Sequence, residues 1–233
     1  MARTIISGMD EIRKIDVQQV AGSLTQPFSM VDVARVDDVI ISLYACDGIL
    51  QWHKHIDIDE LFWTCEGTLF LDTQFGEVRL QPGELVVVPR GVEHRSRSSG
   101  RAIVMLVRCG IVPERKNGRN RLYATDPGMK LPGLSLAEES SRVGRAFWFQ
   151  GVASVDSAVV EVAWGEGTWP TRVPTECDQL LGVLKGTMVL RTSSMMVHLH
   201  PGQFAVVPSG IIYQLSTTRA SVVTRLARKG TRV

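Results

Sequence analysis

Two histidines one residue apart, His53 and His55, stand shortly before Glu60, and a third, His94, follows a Pro-Arg-Gly turn. On an extended chain, residues two apart point to the same side, so both imidazoles of the pair can reach one ion. Three imidazoles and one carboxylate make a coordination sphere suited to a divalent first-row metal such as Fe, Mn, Ni or Zn, with one or two positions left for water or substrate. A polar strand face is the competing reading of any histidine pair. The chain holds such a pair in His198 and His200, which stand just before the Pro201-Gly202 turn and read as a solvated strand edge. If Glu60 faces inward, period-two alternation sends Phe62 and Thr64 to the same side, giving a ligand pocket a part-apolar wall with one hydroxyl. Trp63 and Cys65 then face the other way, where a tryptophan reads as an inter-sheet or interface residue. Trp52 and Lys54 likewise turn away from the ligand side.

These residues must be placed by strands. "VIISLYA", "LFWTCEGTLFLDT", "EVRLQPGELVVVPRG" and "AIVMLVR", and later "AVVEVAWG", "LLGVLKGTMVLRT", "MVHLHPGQFAVVPSG" and "SVVTRLA", are short β-rich runs separated by turn residues. That pattern predicts an all-β, antiparallel sandwich or barrel. Helical periodicity is confined to residues 9–22 and 134–142, each short enough to lie on the periphery.

The runs come in two sets. Gly48, Gly67, Pro82, Gly83, Pro89 and Gly91 recur 119 positions later as Gly167, Gly186, Pro201, Gly202, Pro208 and Gly210, and "FSMVDVARVD" (28–37) meets "FWFQGVASVD" (147–156) at the same spacing. Self-similarity at one fixed offset marks a tandem duplication. A Pro/Gly/basic stretch between the copies reads as a linker or an arm packed across them, which places the boundary near residue 120 and the two domains at 1–120 and 121–233. The same offset carries the four ligand positions to Arg172, Pro174, Gln179 and Tyr213. A guanidinium repels a cation and no anionic or soft donor remains, so a transition metal is expected in the first copy alone, one ion per chain. The second copy is then a structural partner, or a pocket in which Arg172, Gln179 and Tyr213, with Trp169, take an anionic or polar ligand.

Gly48, four residues, His53, Lys54, His55, four residues, Glu60, six residues and Gly67 resemble the first conserved motif of the cupins. Gly83, five residues, Pro89, Arg90, Gly91, two residues and His94 resemble the second. The interval from glycine to first histidine is one shorter than usual, and Ser98 stands where that motif often ends in Asn; both departures lie outside the ligands. With the duplication, the chain is similar to a bicupin. The resemblance implies two tandem jelly-roll β-barrels, with His53, His55, Glu60 and His94 binding a divalent metal inside the first. It also implies a metal-dependent enzyme acting on a small oxygen-rich metabolite, of dioxygenase or isomerase type. A non-enzymatic sensor or storage protein, whose metal organises a ligand pocket, is the alternative, and ligand binding without chemical change would mark it.

Twenty-six basic and 24 acidic residues are interspersed, for a net charge of +2, so no footprint for nucleic acid stands out. No helix-turn-helix segment is visible, and a small-molecule ligand is the expected partner, with a homo-oligomer left open. The N-terminus carries acids by residue 10 and no continuous apolar core, which reads as neither a signal peptide nor a membrane span and makes the cytoplasm the default location. The four cysteines form no C-x-x-C pair, the pattern of reduced thiols packed in strands.

Overall fold

In the computed structural model, which describes residues 11–110, 126, 128–169 and 177–230, the apolar runs become strands and the glycine and proline clusters become the turns between them. The first half comprises β1 (Arg13–Asp16), α1 (Val17–Ser23), β2 (Val31–Val36), β3 (Val39–Ile49), β4 (Glu60–Glu66), β5 (Leu69–Thr73), β6 (Gly76–Leu80), β7 (Glu84–Val88) and β8 (His94–Cys109). The second repeats the order with β9 (Leu134–Ser135), α2 (Leu136–Ser141), β10 (Gln150–Val155), β11 (Ala158–Thr168), β12 (Gln179–Lys185), β13 (Met188–Arg191), β14 (Met196–Leu199), β15 (Gln203–Val207) and β16 (Gln214–Arg228). The strands form two eight-stranded antiparallel sheets, the two tandem barrels of the all-β reading.

Three apolar clusters organise the molecule. Tyr44, Cys46, Phe62, Val86, Val104 and Leu106 fill one barrel interior, and Leu181, Val183, Met188, Tyr213 and Val223 fill the other. The third cluster joins the barrels, with Ile41, Leu61, Trp63 and Met105 of the first half meeting Val160, Leu180, Phe204 and Leu226 of the second. Strand alternation explains the split: Phe62 goes inward while Leu61 and Trp63 go to the joint. The Trp63 ring meets Phe204 edge to face at 5.7 Å, so the residue expected at an interface is found in one. Its counterpart, Gly182, leaves the room that Phe204 needs; a Cβ there would lie 2.4 Å from the Phe204 ring.

The halves also exchange strands. β1 pairs with β15 in the other half's sheet (Ile15↔Phe204), and β9 pairs with β7 (Leu134↔Leu85), each pair standing at the 119-residue offset from the other. Reciprocal covering shields β7 and β15, which would otherwise be bare sheet edges. The helices that follow are capped at equivalent positions, Gln19 N–H donating to Asp16 Oδ1 and Glu138 N–H to Ser135 Oγ. The expected helix over 9–22 is therefore corrected: among the described residues of that stretch the helix starts only at Val17, because residues 13–16 are taken up by the open edge of β15.

The duplication extends to backbone strain. Phe28, Asp37, Phe147 and Asp156 are the non-glycine residues with positive φ among those described, and they form two pairs 119 apart. At Gly67 and Gly186, φ is +72° and +82°, and an added Cβ would lie 2.7 Å from Arg101 O and 2.2 Å from Ser221 Oγ. Only glycine fits either turn. Asp38 and Ser157 are equivalent positions that touch, Ser157 Oγ donating to both Asp38 carboxylate oxygens at 3.0 Å. Contact between equivalents is what a two-fold relation between the copies produces. Met129 and Leu131 of the connecting segment pack on the first barrel's interior cluster, while the boundary near residue 120 falls outside the described residues.

Candidate metal centre

His53, His55, Glu60 and His94 converge, with one ligand atom from each lying within 4.8 Å of the others. Glu60 opens β4 and His94 opens β8, at 3 % and 1 % exposure, while His53 and His55 are half-buried at the mouth. The histidine pair does not sit in a regular strand as expected. It lies in an extended connection held by one isolated bridge, His53 N–H to His94 O at 3.0 Å and His94 N–H to His53 O at 2.9 Å. That bridge supplies the orientation that a strand would have given. Gly91 N–H donates to His55 O at 2.7 Å, which fixes the other end of the segment to the turn before His94.

Hydrogen bonds set the tautomers. His53 Nδ1 lies 2.9 Å from Gln51 O and His94 Nδ1 lies 3.0 Å from Val92 O. A carbonyl only accepts, so each Nδ1 donates there and each Nε2 is turned toward the cluster, where it would be the ligand atom for an ion. His55 Nε2 and His94 Nε2 approach the same Glu60 oxygen, Oε2, at 3.2 and 3.1 Å. Burial raises the Glu60 carboxyl, but the hydrogen bonds from His55 and His94 outweigh it and hold the group at about 2. The bond to Glu60 likewise raises the His55 imidazole above its ordinary value. Donors about 2.0–2.2 Å from a shared ion lie up to about 4.4 Å apart, so small side-chain movements turn this cluster into a coordination sphere. The donor set fits a divalent metal.

Phe62 and Thr64 share the Glu60 face as expected. The Phe62 ring stands edge-on to His94 at 5.6 Å, and Thr64 is fully buried with its Oγ1 lacking a partner. Cys65 packs into the joint between the barrels, and burial pushes its thiol and that of Cys46 up to about 12, leaving both inert as nucleophiles. The sequence reading passed over two further polar groups of the interior, Tyr44 and Ser96, whose hydroxyls lie 3.3 Å apart. Burial raises the Tyr44 hydroxyl, with the Glu60 charge acting in the same direction. The signal was present in β8, where Ser96 follows His94 by one strand period.

In the second barrel Tyr213 donates to Gln179 Oε1 at 3.0 Å, occupying the place of the His94–Glu60 contact with an uncharged pair. Trp169 stacks between Phe147 and Phe149 at 5.6 and 5.2 Å. Arg172 lies outside the described residues. Arg225, which the sequence reading missed, is buried there at 1 %, ion-paired with Glu161 and set over the Phe149 ring. His198 and His200 are exposed, as read from the turn beside them. Among the described residues no helix is long and apolar enough to cross a membrane.

Comparison with known proteins agrees with this geometry. The family model described as "Cupin domain" matches residues 43–108, which contain all four converging side chains. The protein YdbB of Bacillus subtilis (strain 168) is 30 % identical over 89 residues, 38 % of this chain and 79 % of that one. A cupin 2 conserved barrel domain protein from Leptotrichia buccalis superposes with a TM-score of 0.73 over 95 % of this chain and 100 % of its own, at 12 % identity. A salicylate 1,2-dioxygenase from Pseudaminobacter salicylatoxidans gives 0.71 over 96 % and 86 %, also at 12 % identity. At that identity the structural likeness speaks for the fold alone. The duplicated barrels, the family match over the first and the convergence of its histidines and glutamate together make this chain a member of the cupin family.

Proposed function

We propose that the protein is a metal-dependent enzyme of dioxygenase or isomerase type, acting on a small oxygen-rich metabolite, with one divalent transition metal per chain held by His53, His55, Glu60 and His94. The observation that carries this reading is a prearranged donor set: four ligand atoms within 4.8 Å, with the Nδ1 atoms of His53 and His94 committed to backbone carbonyls. When bound, such an ion supplies Lewis acidity, an activated water or, if iron, oxygen chemistry. The chain's own residues orient and exclude water. Gln51 O and Val92 O fix two imidazoles, Phe62 walls the centre with an apolar edge, and Thr64 Oγ1 offers an uncommitted donor and acceptor to a bound ligand. The fold neighbour from Pseudaminobacter salicylatoxidans is a salicylate 1,2-dioxygenase described with gentisate adducts, which is compatible with oxygen-rich substrates here. The test is to load purified protein separately with Fe(II), Mn(II), Ni(II) and Zn(II) and assay each form against a metabolite panel. Turnover with one metal supports the proposal. Tight ligand binding without turnover favours the sensor alternative, and neither outcome with any metal defeats the enzymatic reading.

A further inference from the structure

The last inward position of β8 is Arg108. Leu106, one strand period earlier, lies in the first barrel's interior cluster, and Val107 lies in the joint between barrels, so alternation turns Arg108 to the interior side. The register places it directly opposite Glu60, and cross-strand neighbours of this kind have Cβ atoms about 4.5–5.5 Å apart. Arg108 is half-buried, and among the described residues no hydrogen-bond or carboxylate partner engages its guanidinium. Other arginines of β8 are matched: Arg95 and Arg97 both pair with Asp72. The position equivalent to Arg108 in the second copy is Ala227, so the cation belongs only to the barrel with the donor set.

A half-buried cation without a counter-ion is costly unless an anion is supplied from outside. Three neutral imidazoles and one carboxylate leave a divalent ion with a net positive charge, to which Arg108 adds. We infer that Arg108 is the anchor for an anionic group of the substrate, and that the ligand is a small carboxylate whose hydroxyl or keto oxygens face the donor set while its carboxylate meets the guanidinium. The planar, permanently charged fork suits two parallel hydrogen bonds to a carboxylate. Arg108 also acts electrostatically on His55, so the two side chains share one environment. The inference rests on the metal-centre reading for the chelating half of the ligand and on Arg108 alone for the anionic half.

The experiment separates the two. Metal-free and Zn(II)-loaded full-length protein are titrated calorimetrically with 3,4-dihydroxybenzoate and its neutral analogue 3,4-dihydroxybenzamide, in wild type, Arg108→Gln and Arg108→Lys, with zinc content measured for each. The wild type is expected to prefer the carboxylate by roughly 10- to 100-fold, the range for one hydrogen-bonded charge. Arg108→Gln should bring the two probes within about threefold while retaining zinc, and Arg108→Lys should keep part of the preference because it keeps the charge but not the fork. An undiminished preference in Arg108→Gln, or a wild type that binds neither probe or favours the amide, overturns the inference. Failure of the metal-centre reading registers separately, as absence of zinc uptake by the wild type. The metal-free titration then decides Arg108 by the same carboxylate preference.

Discussion

His94 and Tyr213 occupy equivalent positions and make equivalent contacts, to Glu60 and to Gln179, yet of the two only His94 stands in a converging set of metal-donor groups. His94→Ala should therefore lower metal affinity at least as far as loss of an outer-shell partner does, about 10- to 100-fold. Tyr213→Ala should leave metal content at about one ion per chain, the number of complete donor sets. Its buried ring, 3 % exposed, should instead cost roughly 3–5 kcal/mol in urea unfolding. Full occupancy in His94→Ala, or two ions in the wild type, would sink the assignment. The pH dependence follows from the same contacts. Glu60, held at about 2, stays ionised where histidines titrate, so acid should strip metal through imidazole protonation, at or below about pH 6.5, and dialysis between about pH 8 and 4 should show it. Metal-free protein should behave oppositely. A raised His55 pKa contributes stability below its unfolded value of 6.5 that is lost as pH rises, and a lowered Glu60 pKa contributes stability above 4.5 that is lost as pH falls. The stability difference between wild type and Glu60→Gln in EDTA should accordingly peak between those values; a flat difference across them would contradict the pairing.

At the scale of elements, the exchanged β1 and β9 arms are the joints most open to test. Ile15 on β1 is 6 % exposed and belongs to the cluster between the barrels, whereas its counterpart Leu134 on β9 is only half-buried. Ile15→Ala should cost about 2–5 kcal/mol and Leu134→Ala less, measured by urea titration. Asp16 closes the same arm, accepting from Gln203 Nε2 at 2.7 Å and capping α1. Its carboxyl is held below 3.8, chiefly by the Gln203 bond, so its contribution is present above that pH and fades as pH falls through the lowered value. Asp16→Ala should cost about 0.5–2 kcal/mol near neutrality, the range for a helix cap, and the cost should shrink in acid. An arm docked loosely would show neither effect.

Across the whole molecule, the largest apolar cluster is the one that neither barrel owns. Strands contributed from each half to the other's sheet add to it, so the two barrels should unfold together. Calorimetry should give one transition, with van't Hoff and calorimetric enthalpies equal. Trp63→Ala, which removes a 3 %-exposed ring from the joint, should lower that transition by the equivalent of about 3–5 kcal/mol without splitting it. Two resolved transitions in the wild type would show that the barrels are independent.

The all-β class, the duplication and the four converging side chains were legible in the residues because each depends on local rules: period-two alternation, turns that need glycine, and donor types at fixed spacing. The repeat did more, since two copies in one chain revealed that Glu60 and His94 had become Gln179 and Tyr213. What tertiary structure decided was pairing between distant segments. Residues 13–16 read as helix because a short amphipathic stretch fits either period, and only the open edge of β15 made it a strand. The histidine pair needed no regular strand because a single bridge to His94 oriented it. Arg108 and Tyr44 carried no motif. Their place beside the donor set comes from the register of β3, β4 and β8, which is set by long-range hydrogen bonding and by burial of one sheet face, not by neighbours in sequence.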